Sequence, residues 1–229
     1  MTDVIILAAG RGSRLMPLTE DKPKAMVKVN DKPIIGWTLD CLNSDDINNV
    51  YIVTGYHEGT LKSYIKYNYG DMNIKFIHQK ELTGTADAVY LAKDYIKEDF
   101  MVLAGDIVFN EDDLNYLKVC KNSLLYTELY EKLYHYGTME LRGGIVKKIR
   151  EKSTEPVSNF VNCSAYHFTK DVFRYIPITC IDKRFNERII TNTINLMLED
   201  GYRFRGIPIE YLNEISFPED IEKIEMRLK

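Results

Sequence analysis

The residues best suited to chemistry crowd the start of this 229-residue chain. Leu7-Ala8-Ala9-Gly10-Arg11-Gly12-Ser13-Arg14-Leu15-Met16-Pro17-Leu18-Thr19, then Lys22-Pro23-Lys24, sets glycines and fixed cations directly after the apolar run Val4–Leu7. Glycine permits tight turning, so several backbone N–H groups can converge on one anion. Arg14 and Lys24 add charge that is not easily neutralised. The loop reads as a phosphate cradle. Two familiar phosphate loops do not match it: a P-loop needs GxxxxGK followed by Ser or Thr, which is absent, and in a GxGxxG fingerprint Leu15 would stand at the third glycine.

Two further groups follow. Gln79 precedes Leu82-Thr83-Gly84-Thr85-Ala86-Asp87-Ala88. A glutamine amide pairs a donor with an acceptor, which suits the edge of a base. Gly84 would let backbone approach that base, and Thr85 would cap the helix that follows. Leu103-Ala104-Gly105-Asp106 ends an apolar run in a carboxylate. Mg²⁺ needs only one or two protein carboxylates beside phosphate oxygens. Taken singly, each has a plain alternative: Gln79 on the surface, Thr85 as a helix cap, Asp106 as a turn residue.

The elements that must position these groups are legible from pattern. Val4–Leu7, Val50–Val53, Ile74–Ile77 and Met101–Ala104 read as buried strands, alternating with helix patterns over Ile34–Asn43, Glu58–Tyr67 and Ala86–Lys97. Such alternation predicts an α/β fold, a Rossmann-like, mainly parallel sheet with helices on both faces. Ligands in these sheets sit beyond the carboxyl ends of the strands, so the glycine loop and Asp106 would share one edge. Later strand patterns at Leu124–Leu129, Thr138–Leu141, Gly144–Ile149 and Val161–Phe168, with a hairpin turn at Arg142-Gly143-Gly144, predict a small antiparallel β insertion. Helices at Lys170–Tyr175 and Glu187–Glu199, a strand at Tyr202–Pro208 and a closing helix after Pro218 complete one domain over residues 1–229.

Composition excludes several classes. The chain is 45% apolar and 28% charged with net charge −4, ordinary for a soluble globular protein and lacking the basic excess of nucleic-acid binders. Its first 32 residues run the other way, with six Lys and Arg against four acids, which suits a small anionic ligand. Cys41, Cys120, Cys163 and Cys180 make no CxxC pair, and His57, His78, His135 and His167 have no zinc spacing. Reduced thiols, no basic leader at Met1-Thr2-Asp3 and no membrane-length apolar run give the expectation of a cytoplasmic protein with no membrane or nucleic-acid partner. A homo-oligomer is compatible with the sequence.

Leu7 to Ile35 follows LAAGxGxRLxPLTxxxPKxMxxVxxKPII throughout, and on these residues the chain resembles the sugar-1-phosphate nucleotidylyltransferases. The resemblance implies a reaction in which a nucleoside triphosphate and a phosphorylated sugar give a nucleotide sugar and pyrophosphate. It implies that Leu7, Ala8, Ala9, Gly10 and Gly12 wrap the nucleotide. Arg14 would steady the leaving pyrophosphate and Lys24 the attacked α-phosphate region. Gln79 and Gly84, with Thr85 beside them, would read uracil or thymine, so UTP or dTTP is favoured. Asp106 would bind catalytic Mg²⁺. A second family Asp precedes the closing helix, and here Glu214 stands at that position, or Ser216 in some relatives. Glu214 as second metal ligand and Glu214 as an exposed glutamate both stay open.

The resemblance makes residues 1–110 the nucleotide-binding half and 111–229 the acceptor-binding half, where Gly137 of Tyr136-Gly137 would give the sugar a backbone contact, Glu151 would take its hydroxyls and Lys152 its phosphate, with Asn162 also on the acceptor. Lys152 joins Arg14, Lys24 and Asp106 as the catalytic set. Ser153 replaces a usual proline, and Ser164 a usual glycine, which would narrow the acceptor pocket. These departures keep a CTP-dependent cytidylyltransferase acting on phosphocholine or another phospho-alcohol as the alternative. A catalytically decayed nucleotide-sugar-binding regulator is the remaining one.

Overall fold

The computed structural model describes residues 1–228. β1 (Thr2–Leu7) is buried on both faces, Val4 and Ile6 packing into one apolar cluster and Ile5 into another. That two-sided burial explains why the strand reads as a continuous apolar run rather than an alternating one. After the glycine loop come a two-stranded ribbon, β2 (Lys28–Val29) and β3 (Lys32–Pro33), and helix α1 (Ile34–Cys41). β4 (Ile47–Thr54), α2 (Glu58–Asn68), β5 (Ile74–His78), α3 (Thr85–Tyr90), β6 (Phe100–Ala104) and α4 (Glu111–Val119) complete the alternating part. Then follow β7 (Ser123–Glu128), the β8 (Gly137–Arg142) and β9 (Ile145–Glu151) hairpin, and β10 (Phe160–Phe168). The chain ends through α5 (Val172–Tyr175), α6 (Ile190–Glu199), β11 (Arg205–Pro208) and α7 (Pro218–Arg227).

Nine strands form one sheet in the order β5-β4-β1-β6-β10-β7-β11-β9-β8. The β5-β4-β1-β6 portion is parallel. β10 runs antiparallel between β6 and β7, so the antiparallel part continues the main sheet instead of standing apart from it. Gly143 and Gly144, with φ of 58° and 74°, supply the two left-handed positions of the β8–β9 turn. α3 is shorter than its pattern. After Tyr90 the chain continues in i→i+3 turns that keep Ala92 and Ile96 buried. The helix expected from Glu187 starts at Ile190, because residues 187 and 188 are extended and bonded to other segments.

Register brings the expected site together. Leu7 is paired with both Val53 and Ala104, and the Gly105 N–H donates to Leu7 O at 2.9 Å. The glycine loop and Asp106 therefore leave the same sheet edge side by side. On its other side, Glu214 lies opposite Ile107, and Val108 N and Ile215 N donate to Asn213 O and Asp106 O, each at 3.0 Å. Among the described residues, no helix is long and apolar enough to cross a membrane.

Candidate active site

A cavity of about 430 Å³ opens at this edge, between the parallel strands and the β8–β10 region. The β1 loop contributes Leu7, Ala8, Ala9, Gly10 and Lys24 to its lining, and the β5–α3 connection contributes Gln79, Gly84 and Thr85. Asp106, Glu214, Gly137, Glu151, Lys152 and Asn162 complete the expected residues on the lining. Residues far apart in the chain thus share one lining.

Two expected residues stand outside that lining. Gly12 is turned away, and its φ of 71° with a would-be Cβ 2.9 Å from Lys24 Cβ makes it a shape requirement of the loop. Arg14 is exposed at the rim, its guanidinium carbon 5.7 Å from the centre of the Phe217 ring. Thr85 also departs from expectation. Its Oγ1 accepts the Ile190 N–H at 3.0 Å, so it caps α6 rather than its own helix.

The base-side wall is tightly tied. Gln79 is 7% exposed, which removes the surface reading. Its N–H donates to Thr54 O at 2.7 Å, and its amide reaches toward Gly84 O at 3.5 Å. Gly84 has φ of 124°, and a Cβ there would lie 2.2 Å from Arg188 O. Its glycine is dictated by the Arg188 backbone passing against it. Arg188 N donates to Thr83 O, and Ala86 N to Arg188 O. The Arg188 side chain donates to Thr179 O and to Asp87 Oδ1.

At the centre, Lys24 Nζ donates to Asp106 Oδ2 at 2.5 Å. Glu214 Oε1 accepts from Ser216 Oγ at 2.6 Å. Burial, then the charge of Asp106, pushes the Glu214 carboxyl above its ordinary range, and Lys24 and Ser216 oppose the shift. Asp106 and Glu214 are two carboxylates close enough to repel each other, a donor set that a divalent cation would complete. The fit is that of Mg²⁺, which takes few protein oxygens and keeps the rest for phosphate and water. Among the described residues, no group of three or more His, Cys, Asp or Glu side chains forms an all-protein cage.

On the opposite wall, a Cβ at Gly137 would lie 2.8 Å from Glu151 Oε2. That oxygen accepts from Thr191 Oγ1 at 3.1 Å. Burial raises the Glu151 pKa, against the pull of neighbouring Lys152. Asn162 Nδ2 donates to the Tyr166 hydroxyl at 2.6 Å, and Asn162 Oδ1 accepts from Ser164 N. β10 bulges here against β7, and Ser164 takes φ of 49°. This conformation favours glycine, so Ser164 brings strain as well as a hydroxyl into the lining. His135, Phe185 and Thr191 also line the cavity but were not singled out by sequence. His135 precedes Tyr136-Gly137 directly, so its neighbour carried the only available signal.

Residues 3–210 match the family model described as Nucleotidyl transferase. The chain is 35% identical to the bifunctional protein GlmU of Methanocaldococcus jannaschii over 96% of its own length, and it spans about half (52%) of that relative. It is 33% identical to UTP–glucose-1-phosphate uridylyltransferase AglF of Haloferax volcanii, covering 98% of this chain and 96% of the relative. It is 28% identical to a CTP:phosphoglutamine cytidylyltransferase of Campylobacter jejuni, over 96% of this chain and 98% of that one. A solved UDP-glucose pyrophosphorylase complexed with UDP-glucose superposes with a TM-score of 0.87 at 21% identity, covering 100% of this chain and 98% of its own, a likeness of fold. The motif-bearing loop, the sheet edge that presents it and these relatives agree, and the chain belongs to the nucleotidyl transferase family.

Proposed function

We propose that this protein transfers a nucleoside monophosphate from UTP or dTTP to a sugar 1-phosphate, releasing pyrophosphate. The observation that carries the reading is a single cavity joining the glycine loop and Lys24, the buried Gln79, the Asp106–Glu214 pair and the Glu151–Lys152–Asn162 wall. The acceptor's phosphate oxygen, already an anion at neutral pH, attacks the α-phosphorus. The α–β phosphoanhydride bond breaks and its electrons leave with pyrophosphate. No protein base is required.

Lys24 holds positive charge beside Asp106, where charge builds on the reacting phosphate, and Lys152 holds it on the acceptor side. Arg14 would meet the outer phosphates from the rim. Mg²⁺, held by Asp106 and Glu214, would supply further charge neutralisation for the transferred phosphoryl group. Ser216 orients Glu214 by donating to its Oε1. Glu151, held by Thr191, is available to acceptor hydroxyls.

One observation favours a second acceptor class. Ser164 puts a Cβ and hydroxyl, at φ of 49°, into the acceptor wall, and a cytidylyltransferase of phosphoglutamine is among the relatives. Pyrophosphate release measured for UTP, dTTP, CTP and ATP against sugar 1-phosphates and phospho-alcohols tests both. Turnover with UTP or dTTP and a hexose 1-phosphate is expected. Turnover confined to CTP and a phospho-alcohol would replace the reading. Tight nucleotide-sugar binding without Mg²⁺-dependent turnover would make the protein a regulator.

A further inference from the structure

His135 occupies a position that the motifs leave unexplained. It ends a short 3-10 turn, Leu133–His135, and its half-buried ring lines the same cavity as Lys24 and Lys152. Among the described residues, the histidine rings that bond protein atoms are His78, on Glu58, and His167, on Leu117 O. The His135 ring instead packs edge-on to Phe217 at 5.9 Å and against Tyr134 at 4.3 Å. Phe217 carries Arg14 as well, at 5.7 Å. One aromatic ring, at the start of α7, therefore fixes both Arg14 and His135 at the mouth.

The charged groups facing the imidazole are Arg14 from the β1 loop, Lys132 from its own turn and Lys152 from the end of β9. Burial first, then these three cations, holds its pKa below the ordinary imidazole value. In the free protein these influences favour the uncharged ring. A polyanion placed among these cations would cancel their repulsion and favour the charged ring.

We propose that His135 is a further binding residue for the substrate's polyphosphate, standing between Arg14 and Lys152 and taking up a proton when that anion arrives. The inference rests on the nucleotidyltransferase reading of the cavity and adds to it a group that switches charge with occupancy. Free enzyme avoids crowding a fourth fixed cation onto the rim, and bound polyphosphate gains one. By the sign of the linkage, this contribution is strongest below the bound-state pKa and fades as pH rises through it.

The test is calorimetric titration of inorganic pyrophosphate with Mg²⁺ into the full chain, at about pH 6 and about pH 8.5, in buffers of different ionisation heat. Three proteins are compared: the unaltered chain, His135→Asn and His135→Arg. The expected result is that His135→Asn binds about tenfold more weakly than the unaltered chain at the lower pH and equally at the higher. Its proton uptake on binding falls by the His135 share. His135→Arg, a fixed cation, binds tightly at both. A merely structural histidine would not be rescued by arginine or lose its effect at high pH. Equal affinity and proton uptake for the unaltered chain and His135→Asn would overturn the proposal, as would an arginine variant as weak as the asparagine one. If His135→Asn does not fold, the pH profile of His135→Arg against the unaltered chain decides. No pyrophosphate binding by an unaltered chain that turns over in the release assay overturns this inference alone. Neither binding nor turnover overturns both readings.

Discussion

Lys24 shows how one residue can be assigned a role at two levels. Its sequence context marks a phosphate-facing cation, and the structure sets its Nζ against Asp106 at the cavity's centre. Lys24→Ala is expected to lower turnover by about two to three orders of magnitude, the scale of losing one preorganised charge contact, with an unchanged circular dichroism spectrum. Near-normal turnover would remove the role. Ser164 makes the opposite point, because the sequence marks it as a departure and only the structure shows the strain. Ser164→Gly should relieve the φ of 49° and open the acceptor wall. The ratio of kcat/KM for bulky over compact phosphorylated acceptors is expected to rise about tenfold. An unchanged ratio would mean that Ser164 faces no acceptor.

Among the elements, the β5–α3 connection and the segment leading into α6 act as one unit. Arg188 bonds Thr83 and Ala86 through its backbone and Asp87 through its side chain, while Thr85 caps α6. The two segments are thereby laced together beside Gly84. Gly84→Ala would force a Cβ into the Arg188 carbonyl, and Tm is expected to fall by about 5–10 °C with KM raised for both substrates. A second tie joins β4, α2 and β5. Glu58 accepts from Thr54 and His78 and pairs with Lys62, and the Thr54 bond, first among these, lowers its pKa to about 2. A depressed carboxyl pKa stabilises the fold above its unfolded value, and the effect is lost as pH falls through the folded one. Melts of Glu58→Gln should therefore show a lower Tm at neutral pH, the deficit closing near pH 2. A deficit constant with pH would assign the loss to packing. The sequence carried most of these elements correctly, missing by a few residues where long-range bonds, as at Arg188, overrode helical periodicity.

Across the whole molecule, the two halves are not separable bodies. β10 pairs with β6 on one side and β7 on the other, and Cys163, Ala165 and Ile207 share an apolar cluster with Val4 and Ile6. A fragment of residues 1–110 would leave the β10-facing edge of β6 unpaired and this cluster open. It is expected to aggregate or melt without cooperativity, checked by size-exclusion chromatography and thermal denaturation. A monodisperse, cooperatively melting fragment would show that the first half folds alone. The sequence by itself determined the alternating fold and the family, because these are written in local periodicity and in a contiguous motif. Only the tertiary structure decided that Gly12 shapes the loop from outside the lining, that Arg14 stands at the rim on Phe217, and that Thr85 caps a distant helix. It also decided that Glu214 faces Asp106 and that His135 joins the cationic mouth. Each of these depends on contacts between segments distant in the chain, and such contacts leave no spacing for a sequence to show.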